Sequence, residues 1–192
     1  MEKVTKEVAE KKLEPHSAKI QDCILMGINE YQTEYSKYHH IHSARTRASL
    51  VRDHIVENIK QSFDGIKGVN IIDKRGLFLL SIDGFVIRFK KLNKNFKTSN
   101  IQTQQTLRFS NQLEIEGLYS PITNLNAGYI ANEFWSDFVC LITCPNGNRL
   151  DWVINIPKKI STPIITISTQ RTDIKEPLQR VRPRIRKSQS NE

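Results

Sequence analysis

Histidine is the side chain of this sequence best suited to binding a metal, and four of the five histidines lie close together along the chain. His39, His40 and His42 share one segment, and His54 follows. Neutral imidazole is a common metal donor, but no Cys or carboxylate stands nearby at a recognised spacing to complete the ligands. A polar loop between two helices explains these residues equally well. We therefore predict no metal site and no cofactor.

The same histidines could act as general bases. A metal-independent ribonuclease needs only one His with basic or polar neighbours. His42 with Arg45 and Arg47, or His54 with Arg52, would meet that requirement. Structural roles for these residues are the simpler interpretation, and the ribonuclease stays open as an alternative.

A metal-dependent nuclease would need clustered acids and usually a lysine. The nearest candidates are Asp73, Asp83 and Lys90, which weakly resemble an acid at the end of one strand followed by a carboxylate-x-Lys pair on the next. Arg88 stands where the second carboxylate should be, and Asp83 already has a role in a turn. The sequence contains no catalytic motif, so an enzyme is the alternative and not our leading prediction.

Basic residues give a more consistent signal, because 29 Lys and Arg against 20 Asp and Glu leave a net charge of +9. Such a charge favours an acidic partner such as nucleic acid, although a merely solvated surface would also carry it. Phosphate contacts give affinity without base readout. The predicted contacts lie on the second of two predicted helices, on a predicted strand that begins at Phe85, in the loop after it and in the C-terminal tail: Arg45, Arg47, Arg88, Lys90, Lys91, Lys94, Lys97, Arg180, Arg182, Arg184 and Arg186.

Amide side chains accompany the basic residues in the loop after the third strand and beyond it. They are Asn93, Asn95, Asn100, Gln102, Gln104 and Gln105. Amides pair well with adenine, so these residues could read bases, but satisfying the backbone of a long loop is the simpler role. Exposed aromatic residues of the kind that stack on single-stranded bases are not evident in the sequence.

The cysteines and the hydropathy pattern indicate a location. Cys23, Cys140 and Cys144 are an odd number in a chain without an evident signal peptide, which favours a reducing cytoplasm. Cys140 and Cys144 are spaced too widely for a zinc knuckle and are predicted to be buried small hydrophobes. No apolar run approaches the roughly 20 residues needed to cross a bilayer. We expect a cytoplasmic protein with no membrane partner.

The elements that position these residues centre on the apolar stretch 68–91. Asp83-Gly84 predicts a two-residue hairpin turn with positive φ at Gly84. The strand before it, Leu77–Ile82, is apolar at nearly every position, so both of its faces should be covered, with Leu79 in the core.

The strand after that turn alternates in character. Phe85, Ile87 and Phe89 should point to one face of the sheet, with Phe89 in the core, while Arg88 and Lys90 should point to the other face. The alternation therefore places the two basic residues side by side on one face.

Two helices are predicted before the sheet. We treat residues 1–15 as a frayed or disordered arm that Pro15 ends, and predict a first helix over 17–38. Ser43 should cap a second helix. The apolar face of that helix carries Ala48, Val51, Ile55, Ile59 and Phe63.

The rest of the chain supplies shorter elements. After a cap at Ser99 or Asn100, a short helix should turn Leu107 inward. Strands are predicted over 113–116, 125–131, 138–144, 149–156 and 164–168, with a turn at 145–148. The fold class is α+β, an N-terminal helical hairpin packed on a mainly antiparallel sheet. One domain covers 16–168, and 169–192 is a basic, disordered tail.

Four segments, taken together, resemble a little-studied family of bacterial proteins. They are FVIRFKKL at 85–92, SNIQTQQ at 99–105, NAGY at 126–129 and TCPNG at 143–147. The similarity covers roughly residues 43–156. Genes of that family stand beside a helix-turn-helix regulator fused to an ImmA/IrrE-type metallopeptidase, a pair of the Rosmerta-like phage-defence kind. The resemblance implies a partner of that type and a context, phage defence or toxin-antitoxin, but assigns no active-site residue.

Two functions from different classes follow. The leading one is a nucleic-acid-engaging component of a two-gene defence or toxin-antitoxin module, acting with the regulator/metallopeptidase partner. The alternative is a nuclease toxin, metal-independent or metal-dependent, that this partner controls.

Overall fold

Two long helices open the chain. In the computed structural model, which describes residues 4–74, 76–99, 103–113 and 122–156, α1 spans Lys6–Tyr35 and α2 spans Ala44–Phe63. Ser43 caps α2 as predicted, because its Oγ accepts a hydrogen bond of 3.1 Å from the Thr46 amide, one of the donors that a helix leaves unpaired at its start. Within the described ranges, no helix is both long and apolar enough to span a membrane.

The predicted arm over residues 1–15 is wrong from Lys6 onward, where α1 already begins. Ala9 and Leu13 are buried, and the indole of Trp152 donates a hydrogen bond of 3.0 Å to the Val4 carbonyl. Pro15 lies inside α1 rather than at its end. Burial of Ala9 and Leu13 offsets the cost of the hydrogen bond that Pro15 removes from the helix.

Six strands form one sheet in sequence order, with bounds β1 Val69–Lys74, β2 Leu77–Ile82, β3 Phe85–Lys91, β4 Thr123–Ala131, β5 Phe138–Asn146 and β6 Arg149–Asn155. All neighbours pair antiparallel except β3 and β4, which are parallel. The short helix α3, Gln104–Ser110, lies in the connection between those two strands. The α+β fold with a mainly antiparallel sheet is therefore confirmed.

The two faces of the sheet are covered differently. α1 and α2 pack on one face, which supplies most of the apolar core. On the other face Leu79 of β2 and Val86 of β3 pack against Phe109 of α3. Both faces of β2 are thus covered, as predicted, and Leu79 and Phe89 are buried.

The predicted hairpin turn is confirmed, but two predictions about α3 are not. Asp83 and Gly84 have φ values of 47° and 85°, as a two-residue turn of the predicted kind requires. In α3, Thr103 is the cap, since its Oγ1 accepts a hydrogen bond of 3.2 Å from the Thr106 amide. Phe109 is buried and Leu107 is exposed, so the predictions of the cap and of the inward residue are wrong.

The later predicted strands are only partly within the described chain. β4, β5 and β6 confirm three of them, although Pro145 belongs to β5, at a register shift beside Cys144, rather than to the turn. Cys140 and Cys144 are buried, as predicted. Leu113 is not in a strand, and the predicted segments 114–116 and 164–168 and the tail 169–192 lie outside the described residues.

One irregularity in the sheet shapes the surface around the basic residues. The ladder between β2 and β3 ends at the pair Leu80↔Ile87, whereas β3 stays paired with β4 as far as Lys91↔Tyr129. The start of β2 therefore separates from the end of β3. A gap opens beside Arg88 and the residues that follow it.

Candidate anion-binding site

A cavity of about 750 Å³ lies at this gap between β2 and β3. The first half of α2, the start of β2, the end of β3, the loop after β3 and the start of α3 form its walls. Six lining residues are cationic: Arg45, Arg52, Arg88, Lys90, Lys91 and Lys94. Of the residues that the structure describes, no Asp or Glu lines the cavity. We call it the cationic cavity.

Arg88 is the most deeply placed of these cations, with 7% of its surface exposed. Its guanidinium carbon lies 4.7 Å from the centre of the Phe109 ring. The Nε atom is buried and has no hydrogen-bond partner among the described residues. Burial, with a smaller contribution from the charge of Arg52, lowers the pKa of the Arg88 guanidinium. A buried cation without an acid beside it is costly, and a bound anion would relieve that cost.

Lys90 lies two residues further along β3 on the same face as Arg88. Burial, followed by the charges of Arg88 and Arg52, lowers the pKa of its amine from 10.5 to about 8. Arg52 reaches the cavity from α2 and is itself 3.1 Å from the exposed carboxylate of Asp53. We refer to Arg52, Arg88 and Lys90 as the inner cations.

The local fold fixes the position of the inner cations. β4 approaches β3 so closely that a Cβ on Gly128 would collide with the carbonyl oxygen of Lys90. Only glycine at this position lets the parallel pair form as it does. Below the cavity, Leu79, Val86 and Phe109 give Arg88 an apolar support.

The remaining cavity cations are more accessible. Arg45 is exposed near the start of α2, and Lys94 is exposed in the loop after β3, 3.7 Å from the carboxylate of Glu133. We call these two residues the rim cations. Lys91 faces both the cavity and the indole of Trp135, whose ring centre lies 4.9 Å from its Nζ. Burial, and then the charge of Arg47, lowers the pKa of the Lys91 amine.

Two predicted phosphate contacts lie elsewhere. Arg47 is half-buried instead of exposed: its Nη1 donates to the carbonyl oxygen of His39 at 3.3 Å, and its guanidinium carbon lies 5.3 Å from the centre of the Trp135 ring. Lys97 donates a hydrogen bond of 2.6 Å to the carbonyl of Asn148 and lines a second depression. The tail residues are outside the described ranges: Arg180, Arg182, Arg184 and Arg186.

The histidines do not converge on the cavity. His42 Nδ1 lies 3.1 Å from the hydroxyl of Tyr31 and His39 Nδ1 lies 3.4 Å from it, in a cluster of aromatic rings. His54 faces α1, with its Nδ1 3.2 Å from a carboxylate oxygen of Glu30. Arg47 belongs to the cluster around Tyr31, since its Nη1 lies 3.3 Å from the Nε2 of His39, whereas His54 contacts Glu30 and Glu34. Nowhere in the described chain do three or more metal-binding side chains come together.

The acids proposed for a metal-dependent nuclease are also apart. Asp73 pairs with Lys60 at 2.7 Å, near the end of the β1–β2 ladder where Asp73 faces Phe78. Asp83 lies in the turn at the opposite end. Lys90 is consequently not joined by these two carboxylates.

The amide prediction divides in two. Asn93 satisfies the loop backbone, because its Oδ1 accepts hydrogen bonds from the amides of Asn95 at 2.9 Å and Lys97 at 3.1 Å. Gln105 lines the cationic cavity. Asn100 and Gln102 lie outside the described residues.

Sequence reasoning missed an exposed aromatic residue near the cavity. Phe134 is 86% exposed, in the turn that follows the cavity-lining end of β4. Asn132 holds this turn, since its Oδ1 accepts a hydrogen bond of 2.9 Å from the Ser136 amide, and Trp135 anchors it in the core. The sequence signal was Asn132 between two predicted strands, because Asn side chains hydrogen-bond nearby backbone groups in turns.

Comparisons of this chain with models of known protein families, with curated proteins and with solved structures give no match. The cationic cavity is the feature that bears most directly on function. It concentrates positive charge in a concave space that no described carboxylate lines, which is the arrangement that an anionic ligand needs.

Proposed function

We propose that this protein binds nucleic acid by holding phosphate groups in the cationic cavity. The observation that carries the proposal is the set of six lining cations without a described acid among them, of which Arg88 is almost fully buried. Arginine and lysine side chains arranged in this way recognise phosphate oxygens by charge-assisted hydrogen bonds.

A polymer is favoured over a small isolated anion for two reasons. The rim cations extend the positive charge outward from the cavity, and the chain as a whole carries a net charge of +9 that attracts a polyanion over a longer range. Phe134, next to the cavity, offers an exposed ring on which a base can stack. These features favour a strand with unpaired bases over duplex.

A salt titration of binding tests this proposal. Fluorescence anisotropy would compare labelled single-stranded and duplex DNA and RNA with the full-length protein. The rim variant Arg45→Met/Lys94→Met should bind more weakly. Its slope of log affinity against log salt should be shallower by about 0.7 for each phosphate of a single strand that the variant no longer neutralises.

The matched control is Lys11→Met/Lys67→Met, which removes the same charge from two exposed lysines that do not line the cavity. If the rim variant and the control bind alike, the cavity is not the site. If the unmodified protein binds none of the polymers at low salt, the proposed function is wrong.

The cellular context is a further part of the proposal and rests on the sequence resemblance. We propose that the protein acts in the cytoplasm, within a two-gene phage-defence or toxin-antitoxin module, beside a helix-turn-helix/metallopeptidase partner. Co-expression with the neighbouring gene product, followed by co-purification and growth measurements with each gene alone, tests this. Independent growth effects and no association would overturn it.

Incubating the protein with DNA and RNA, with and without Mg²⁺, tests the nuclease alternative in the same preparation.

A further inference from the structure

We propose that the inner cations form a subsite for a terminal phosphate of a nucleic-acid strand, so that the protein recognises a strand end. This inference rests on the proposed function and makes it more specific. It starts from the different depths of the inner and the rim cations.

Depth favours an end over an internal phosphate. An internal phosphodiester continues into a nucleoside on both sides, so the strand would have to enter and leave the cavity to place that phosphate against Arg88. A terminal phosphate continues on one side only and can reach a side chain that is 7% exposed. A cavity of about 750 Å³ is also in the range that holds a nucleotide-sized ligand.

Charge favours the same ligand. A phosphate monoester carries about −1.5 to −2 charges at neutral pH, whereas a diester carries one. Arg52, Arg88 and Lys90 bring three cations together, and only Arg52 has a carboxylate beside it among the described residues. The doubly charged end therefore compensates this cluster better than a diester does.

Hydrogen bonding adds a third argument. The Nε atom of Arg88 is buried and has no described partner. A guanidinium binds two phosphate oxygens through parallel N–H donors, and a monoester presents three terminal oxygens to accept them. Ser49 and Thr106 line the same cavity and can donate hydroxyl hydrogens. The rim cations would then meet phosphates further along the strand.

Binding of single-stranded oligonucleotides of one sequence with different ends tests the subsite. The ends are 5′-phosphate, 3′-phosphate and hydroxyl at both termini, and a nucleoside monophosphate serves as the competitor. We expect one phosphorylated end to improve affinity about tenfold or more over the hydroxyl-ended strand, since hydrogen bonds to charged groups are the strong ones.

Arg88→Met should weaken binding of the phosphate-ended strand far more than binding of the hydroxyl-ended strand and so abolish this preference, and Lys90→Gln should reduce the preference. Melting temperatures show whether both variants fold. If Arg88→Met does not fold, Lys90→Gln still tests the subsite. If phosphorylated and hydroxyl-ended strands bind equally well, the terminal subsite is wrong while nucleic-acid binding stands.

Two other outcomes also overturn the inference. If the nucleoside monophosphate binds as tightly as the phosphorylated strand, the ligand is a small phosphate monoester and not a strand end. If no oligonucleotide binds, the proposed function falls and the subsite falls with it.

Discussion

Two polar clusters lie beside Phe109 of α3, and they are satisfied very differently. Gln112 and Asn124 form the first. The Gln112 side chain donates to the carbonyls of Asn124 at 2.9 Å and Pro145 at 2.7 Å, and it accepts a hydrogen bond of 2.7 Å from the Asn124 amide. Arg88 and Lys90 form the second, in which like charges lie side by side on one strand.

The difference separates a structural cluster from a functional one. Buried polar groups that satisfy one another fix the connection between α3 and the sheet and need no ligand. The amide cluster does this by binding backbone groups from two strands, and of its side-chain atoms Asn124 Oδ1 is buried without a partner among the described residues. Cations buried together, with the Nε of Arg88 left without a described partner, cost stability in the free protein. Such a cost is explained if an anion binds there.

The largest expected effect on stability comes from the packing around Phe109, which contacts both clusters. Phe109 contacts Arg88 through its ring, accepts a hydrogen bond of 3.2 Å from the Asn124 side chain through its carbonyl, and packs on Leu79. Leu79→Ala should lower the free energy of unfolding by about 2–5 kcal/mol, the usual cost of truncating a buried leucine. Urea denaturation measures it. An unchanged free energy of unfolding would show that Leu79 is not a core residue.

Removing the amide cluster sharpens the comparison. Gln112→Met should cost about 1–3 kcal/mol, because it leaves the Asn124 amide and the Pro145 carbonyl without the side chain that now satisfies them. Affinity for nucleic acid should stay the same. Gln61→Met, at an exposed position on α2, is the control and should stay within about 0.5 kcal/mol. A stable Gln112→Met variant with reduced affinity would reverse the roles of the two clusters.

The pH dependence of binding tests the cationic cluster through a smaller change, the loss of one proton from Lys90. The pKa of Lys90 is about 8 in the folded protein, below its ordinary 10.5. Burial is the main cause of this shift, and Arg88 and Arg52 are the charged groups that add to it. As pH rises through about 8, Lys90 loses its proton, and affinity for a phosphate-ended strand should fall by up to about tenfold per pH unit.

The stability of the free protein should change in the opposite direction. Between the two pKa values the unfolded chain binds more protons than the folded chain, so the free energy of unfolding rises with pH there. Lys90→Arg should abolish the loss of affinity, because a guanidinium keeps its proton in this range. Equal pH profiles for this variant and the unmodified protein would exclude Lys90 from the binding site.

Local patterns predicted the fold and the facing of the site but not its burial. Strand alternation places Arg88 and Lys90 on one face of β3 and Phe85 on the other face, and the structure confirms this. Their burial depends on Phe109 packing from α3 and on the separation of β2 from β3. These are contacts between distant parts of the chain, which residue periodicity does not contain.

The same limit explains the errors outside the site. α1 begins before Pro15 because its first turns pack against residues that come much later, as the bond between Trp152 and Val4 illustrates. Arg47 has the spacing of an exposed helical cation, yet it binds the His39 carbonyl and lies over Trp135. Partners of this kind follow from tertiary structure, whereas turn residues such as Asp83 and Gly84 act locally and were predicted well.

Arg88→Met, measured for both stability and binding, tests most directly whether the buried cations exist for a ligand. Met fills a similar space without a charge, so the free energy of unfolding should stay unchanged or rise. Affinity for a strand ending in phosphate should fall about tenfold or more. Lys67→Met, which removes one exposed charge at the opposite end of β1 and β2, should change neither quantity appreciably. A destabilised Arg88→Met protein that binds the strand with full affinity would contradict the account, because Arg88 would then serve the fold and not a ligand.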